Sequence, residues 1–327
     1  MQQRLSHAQA RPARIRTHGA SPGSPEPSGI LWYAARCLTG IFVAWLVLSL
    51  LSSGGQAQGK EPSTAPVLRL ETGMHTATIT RIGIDAANRY LVTGSHDKTV
   101  RVWELATGRL LRTLRPPIDI GNEGKIYAVA LSHDGRTVAA AGWTGWDWDG
   151  THSIYFLDRE SGQLLRRLTG LPGAIGHLVY SRDGAFLTAT LANGMRLYRT
   201  KDYTQVASDT AYGGDSYGAD FDAAGRLVTA SFDGFVRLYD RGGKVRTQRK
   251  ALGGARPFGV VFSHDGARVA VGYEDSTRVD VLSGEDLAPL YAPNTAGVGT
   301  GNLALVSWSA DGRWLYAGGR YDAQGSL

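Results

Sequence analysis

Cysteine is almost missing from this chain: Cys37 is the single thiol in 327 residues. No disulfide within the chain and no cysteine-built zinc site can form. Charged residues are also thin, at 20%, against 43% hydrophobic residues, a globular balance rather than a disordered one. Acid is scarcest at the start. Glu26 stands alone in the first 60 residues against Arg4, Arg11, Arg14, Arg16, Arg36 and Lys60. The net charge of +6 therefore belongs mostly to that segment, and the rest is close to neutral. A basic tail is not the footprint of a nucleic-acid surface, so no nucleic-acid partner is expected. No HExxH motif and no phosphate-cradling Gly-rich loop occurs, so neither cofactor nor metal is expected. Glycine, by contrast, is plentiful at 43 residues, with 14 Tyr and 8 Trp, which suits short strands joined by tight turns.

The N-terminal segment divides by composition. Residues 1–29 are rich in Pro, Ser, Gly and Arg and read as a disordered basic leader. Residues 30–52 read as a signal or membrane-anchor helix, built on the apolar run Leu38–Leu51 with Arg36 just before it. A positive flank, a short apolar core and a small-residue exit at Gly55 and Ala57 describe a secretory signal. The stretch from Ile30 is also long enough to cross a bilayer, which takes about 20 residues. Either way the remainder is expected across the inner membrane, periplasmic or anchored there, because the Arg-rich side stays in the cytoplasm. Membrane contact is expected only through 30–52. Residues 53–65 read as a linker.

The body, 66–327, repeats itself. A turn motif recurs as DAANR (85–89), SHDGR (132–136), SRDGA (181–185), DAAGR (222–226), SHDGA (263–267) and SADGR (309–313). Its turn residues are Asn88, Gly135, Gly184, Gly225, Gly266 and Gly312, spaced by 47, 49, 41, 41 and 46 residues. Asn and Gly tolerate the positive φ of a tight hairpin. An apolar strand follows each turn, such as YLVTGS, TVAAAG and RVAVGY, and then an alternating strand such as TVRVWE (99–104) or FVRLYD (235–240). Four short strands at that period make one propeller blade. The expected fold is all-β: a β-propeller of four-stranded antiparallel blades, five complete and a sixth partial, preceded by one N-terminal apolar helix. PVLRLE (66–71) reads as a lone outer strand able to complete a last blade. The propeller is expected to be C-terminally truncated, with an unpaired strand edge.

SHDKTVRVWE (95–104) resembles the signature of a WD-repeat blade, with Glu104 where Asp is usual, and Gly73-Met74-His75 is similar to the family's Gly-His pair with one residue inserted. The resemblance implies a buried hydrogen-bonded set in blade one of His75, Thr93 or Ser95, Asp97 and Trp103. It also implies weaker versions elsewhere, with Tyr239 standing for Trp and Asn193 for Asp. The running text around 66–115 and 216–290 is similar to the propeller half of bacterial WD-repeat proteins fused to caspase-like peptidases. The Cys nucleophile of such a peptidase has no counterpart after Cys37.

One loop stands apart: GWTGWDWDG, Gly142–Gly150. Trp143, Trp146 and Trp148 beside Asp147 and Asp149 suit stacking on a sugar or gripping a peptide. The plainer alternative is that the three rings fold back over the blade edge. Asp-x-Asp-Gly alone offers too few oxygens for a calcium cage. DYTQ (202–205) and GGDSYGADF (213–221) read as polar connecting loops, where propellers meet partners. The functional expectation is a non-catalytic scaffold outside the cytoplasm that binds a protein or peptide. The alternatives are a sensor propeller of a caspase-like peptidase protein and a propeller enzyme acting on a small substrate.

Overall fold

A computed structural model describes residues 71–323. The leader, the apolar helix and the linker expected over 1–65 lie outside the described residues, as does most of the outer strand at 66–71. Within them the chain is all-β. Five antiparallel four-stranded sheets follow one another, each with its strands in chain order. Their first strands are Ile79–Ile84, Lys125–Leu131, Ile175–Tyr180, Ser216–Phe221 and Pro257–Phe262. All six predicted turn residues have positive φ, from 53° at Asn88 to 80° at Gly225, and each turns the first strand of a blade into its second.

Blade one shows why the sequence alternates only loosely. Its second strand, Tyr90–Ser95, is buried from Val92 onward on both faces. A blade is covered by neighbours on each side, so successive residues of a middle strand enter different cores. In blade two, Val138 and Ala140 pack with Val92, Val100 and Val102 of blade one, whereas Ala139 and Ala141 pack with Ile175 and Leu187 of blade three. Tyr155 and Phe156 divide in the same way. Each large apolar side chain so buried contributes about 1.5–3 kcal/mol.

After the fifth blade the chain forms a bent hairpin rather than a full sheet. Leu305–Trp308 pairs with Leu315–Gly318, and beyond a kink Val298–Gly301 pairs with Tyr321–Ala323. Asn302 fills the kink: its amide donates to the Glu274 carbonyl at 3.0 Å and its side-chain oxygen accepts from Arg320 N at 3.0 Å.

Two segments differ from expectation. The Trp-rich loop contains one helical turn, Trp146–Asp149, flanked by Gly145 and Gly150 at φ 90° and 65°. Residues 216–221 are the first strand of blade four and not a connecting loop. The glycines of GGDSYGADF suggested a loop. What they provide is close approach: a Cβ on Gly218 would lie 2.2 Å from the Phe258 carbonyl oxygen of the next blade.

Candidate functional site at the channel mouth

Three groups of side chains merit attention: the blade-one hydrogen-bond set, the Trp-rich loop, and the cavity on which the first strands converge.

In blade one the Trp103 indole donates to Thr93 Oγ1 at 2.9 Å, and Thr93 Oγ1 meets His75 Nε2 at 2.7 Å. His75 Nδ1 lies 2.9 Å from Asp97 Oδ2. With a neutral ring, one arrangement satisfies every atom: Thr93 donates its hydroxyl to Nε2, and Nδ1–H donates to Asp97. Ser95 stands beside this line, donating to the Ala77 carbonyl and accepting from Asp97 N, each at 3.1 Å. Burial opposes the Asp97 charge, but hydrogen bonds from Thr99, His75 and Thr76 outweigh it and hold the carboxyl below its ordinary value. These groups bond one another across the blade.

Blade four builds the same corner from other residues. Tyr212 takes the place of His75: its hydroxyl bonds Thr229 Oγ1 at 2.6 Å and Tyr239 at 2.7 Å. Tyr239 in turn donates to Asp209 at 2.8 Å. The Arg237 guanidinium lies 4.0 Å over the Tyr212 ring and pairs with Asp233. Tyr212 escapes a sequence search because Tyr and His share no motif symbol; its spacing from Ser231 was the available signal. In blade three, Asn193 holds a left-handed turn at φ 65°.

The Trp-rich loop folds back for the most part. Trp148 is buried at 3% exposure, while Trp146 is 43% exposed. Trp146 stacks on His152 at 5.3 Å, and Trp143 meets that ring edge-on at 5.2 Å. The loop is tied from beneath: buried Glu123 accepts from Gly145 N at 2.6 Å and Asp147 N at 3.1 Å. Asp149 pairs with Arg167. Among the described residues no group of three or more His, Cys, Asp or Glu side chains is placed to hold a metal ion.

Residues 214–218, GDSYG, also have the spacing of a hydrolase nucleophile elbow. The elbow requires a sharp strand-to-helix turn with an exposed serine. Ser216 instead opens a strand, is fully buried, and donates to the Ala230 carbonyl at 2.8 Å.

The first strands line two cavities. Their leading halves surround one of about 600 Å³, to which every blade contributes. Its wall is aromatic: Tyr217 stacks on Phe258 at 5.3 Å, and His96 meets Tyr127 edge-on at 5.2 Å. Phe232, outside that lining, lies 4.8 Å from Tyr217. Arg256 covers Phe232 at 4.1 Å. Arg81 lies 5.1 Å from the Phe258 centroid, and its Nη2 donates to the Tyr217 carbonyl across the cavity. Burial, then Asp215, pushes the Tyr217 phenol up to about 12. The trailing halves surround a second cavity of about 660 Å³, lined among others by His133, His177, Asp220 and His264. Period-2 patterning reveals the strands but not which side chains six of them bring to one axis, so the sequence reading missed this constellation.

Comparison with known proteins fits this geometry. The model of the WD domain, G-beta repeat, matches residues 68–104 and 108–155. The chain carries WD repeats. The matched WD repeats are blade one and the first three strands of blade two, which include the His75–Trp103 set. A ribosome biogenesis protein BOP1 homolog of Monosiga brevicollis is 39% identical over 71 residues, 20% of this chain and 9% of that protein. The homologs of Drosophila erecta and Drosophila melanogaster are 48% identical over 40 residues, 12% of this chain and 5% of theirs. This WD-repeat chain thus spans less than a tenth of those relatives. The expected export to the periplasm is corrected by them: a name from ribosome biogenesis conflicts with a periplasmic propeller. Among the described residues no helix is long and apolar enough to cross a membrane, and 30–52 lies outside them.

Proposed function

We propose that this chain is a non-catalytic WD-repeat scaffold that holds a protein or peptide partner at the aromatic mouth of the channel. One observation carries the reading: every blade contributes to a single cavity whose wall combines stacked Tyr217 and Phe258 with Arg81 and Arg320. Aromatic and arginine side chains dominate binding hot spots, because they cover large area at small entropic cost. The polar residues that match catalytic patterns are engaged in bonds that hold the blades. The names of the relatives, from ribosome biogenesis, agree with a role in assembly. The Trp-rich loop is the lesser candidate surface, offering Trp146 with Trp143 beside it, while Trp148 is buried and Asp149 is tied to Arg167.

The test compares cross-linked partners of the intact protein with those of Phe258→Ser and Trp146→Ser variants of unchanged melting temperature. Loss of a reproducible partner in Phe258→Ser alone supports the mouth. Loss in Trp146→Ser alone moves the site to the Trp-rich loop. Full recovery by both variants overturns the proposal.

A further inference from the structure

The Trp-rich loop carries a flat ring beside a polar pair. Trp146 lies on the buried His152 ring at 5.3 Å with 27° between planes, and Trp143 braces that histidine edge-on at 5.2 Å. One face of Trp146 is thus covered, yet the residue is 43% exposed, so the other face meets solvent. The packing beneath holds the ring in place without a ligand. Asp149 N bonds the Gly145 carbonyl and Gly150 N the Trp146 carbonyl, each at 3.0 Å, which closes a single helical turn. Trp146 and Asp149, three residues apart, therefore share one side of it.

Asp149 pairs with Arg167, and both stay open to solvent, at 30% and 27% side-chain exposure. Arg167 Nε also donates to Ser153 Oγ at 3.2 Å. Its close approach to the loop depends on Gly145: a Cβ there would lie 3.2 Å from Arg167 Nη2 and 2.5 Å from Ser153 Oγ. A carboxylate and a guanidinium are thereby fixed together beside the turn that carries the ring.

Their charges already cancel. A cationic ligand would have to draw Asp149 from Arg167, and an anionic one Arg167 from Asp149. Uncharged hydroxyls displace neither group: one donates to a carboxylate oxygen while its neighbour accepts from a guanidinium N–H. The open face of Trp146 is electron-rich and attracts weakly positive C–H groups lying flat on it. A pyranose ring with equatorial hydroxyls meets both demands, with C–H groups on its face and adjacent hydroxyls at its rim.

We propose that the Trp-rich loop binds an uncharged carbohydrate, with a gluco-configured pyranose ring stacked on the open face of Trp146 and two neighbouring hydroxyls bonded to Asp149 and Arg167. This site is separate from the channel mouth and does not rest on the reading of the mouth as the partner-binding face.

The test is NMR titration of the intact protein, following the Trp146 indole N–H and saturation transfer to ligand protons. The probes are cellotetraose and triacetylchitotriose, with mannitol, which has hydroxyls but no ring face, and tetralysine as the cationic rival. At least one of the two sugars is expected to bind and shift the Trp146 signal. Trp146→Ala should weaken that binding about tenfold, as loss of a ring stack does, and Trp146→Tyr should retain part of it. Asp149→Asn should weaken it about fivefold, as loss of one hydrogen bond does. Should Trp146→Ala fail to fold, the Trp146→Tyr and Asp149→Asn titrations decide. Failure of both sugars to bind up to about 20 mM overturns the proposal. So does sugar binding that the variants leave unchanged, mannitol binding as well as the sugars, or tetralysine binding more tightly at Trp146.

Discussion

Thr93 Oγ1 stands between two aromatic nitrogens, accepting from Trp103 Nε1 at 2.9 Å and meeting His75 Nε2 at 2.7 Å. One hydroxyl thus satisfies two rings that span the first blade. Thr93→Val keeps the shape and removes the oxygen. Each orphaned group costs about 1–3 kcal/mol, so the variant should lose on the order of 2–4 kcal/mol by urea unfolding. Trp103→Phe added to Thr93→Val should then cost much less than Trp103→Phe in the parent protein. Additive losses in that double-mutant cycle would deny the coupling.

The three tryptophans of the Trp-rich loop should separate by burial. Trp148→Ala empties a buried site and should cost about 3–5 kcal/mol. Trp146→Ala removes a 43% exposed ring stacked on His152 and should cost about 1 kcal/mol or less. Melting curves of the two variants check this, and equal losses contradict the burial order.

Gly218→Ala should be far more damaging than a surface glycine replacement. Its Cβ would meet the Phe258 carbonyl oxygen at 2.2 Å, and that oxygen belongs to backbone that cannot swing aside. The added methyl should cost about 1–3 kcal/mol or more, as overpacking of a tight contact does. At Gly318 nothing lies within 4 Å, so Gly318→Ala is the control. Similar melting temperatures for the two variants would exclude strand approach as the reason for Gly218.

Asp220 makes a pH prediction. Burial pushes its carboxyl up to about 6 from the ordinary 3.8, against the Phe262 amide bond at 2.8 Å and the nearby Arg182 charge. A raised carboxyl binds its proton more tightly in the folded state. Its stabilising effect is therefore complete below pH 3.8 and lost as pH rises through 6. Asp220→Asn keeps an acceptor for Phe262 and removes the titration. The variant should gain on the order of 1–3 kcal/mol over the parent at about pH 7.5, and nothing near about pH 3.5. A difference that stays constant across that range would refute the shift.

Much of the fold is legible because hairpin chemistry is local. Asn88 and the five glycines of the turn motif need positive φ whatever surrounds them, and every one has it. The strand after each turn is legible for the same reason, and YLVTGS and RVAVGY coincide with their observed strands. The sixth unit shows where that ends. SADGR marks its turn, yet the kink at Asn302 and the short ladder at 298–301 come from contacts with Glu274 and Arg320, distant in sequence.

The sequence by itself determined the repeat, the strands and the His75–Asp97–Trp103 spacing, since each depends on residues near one another along the chain. Tertiary structure alone decided which side chains meet. Arg81 and Tyr217 are 136 residues apart and bond across one cavity, and Tyr212 replaces a histidine because it reaches the Thr of its own blade. The physical reason is geometric. A strand's pattern records that one face is buried, but blades stacked about an axis bury both faces, and the neighbour that covers each residue lies in another blade.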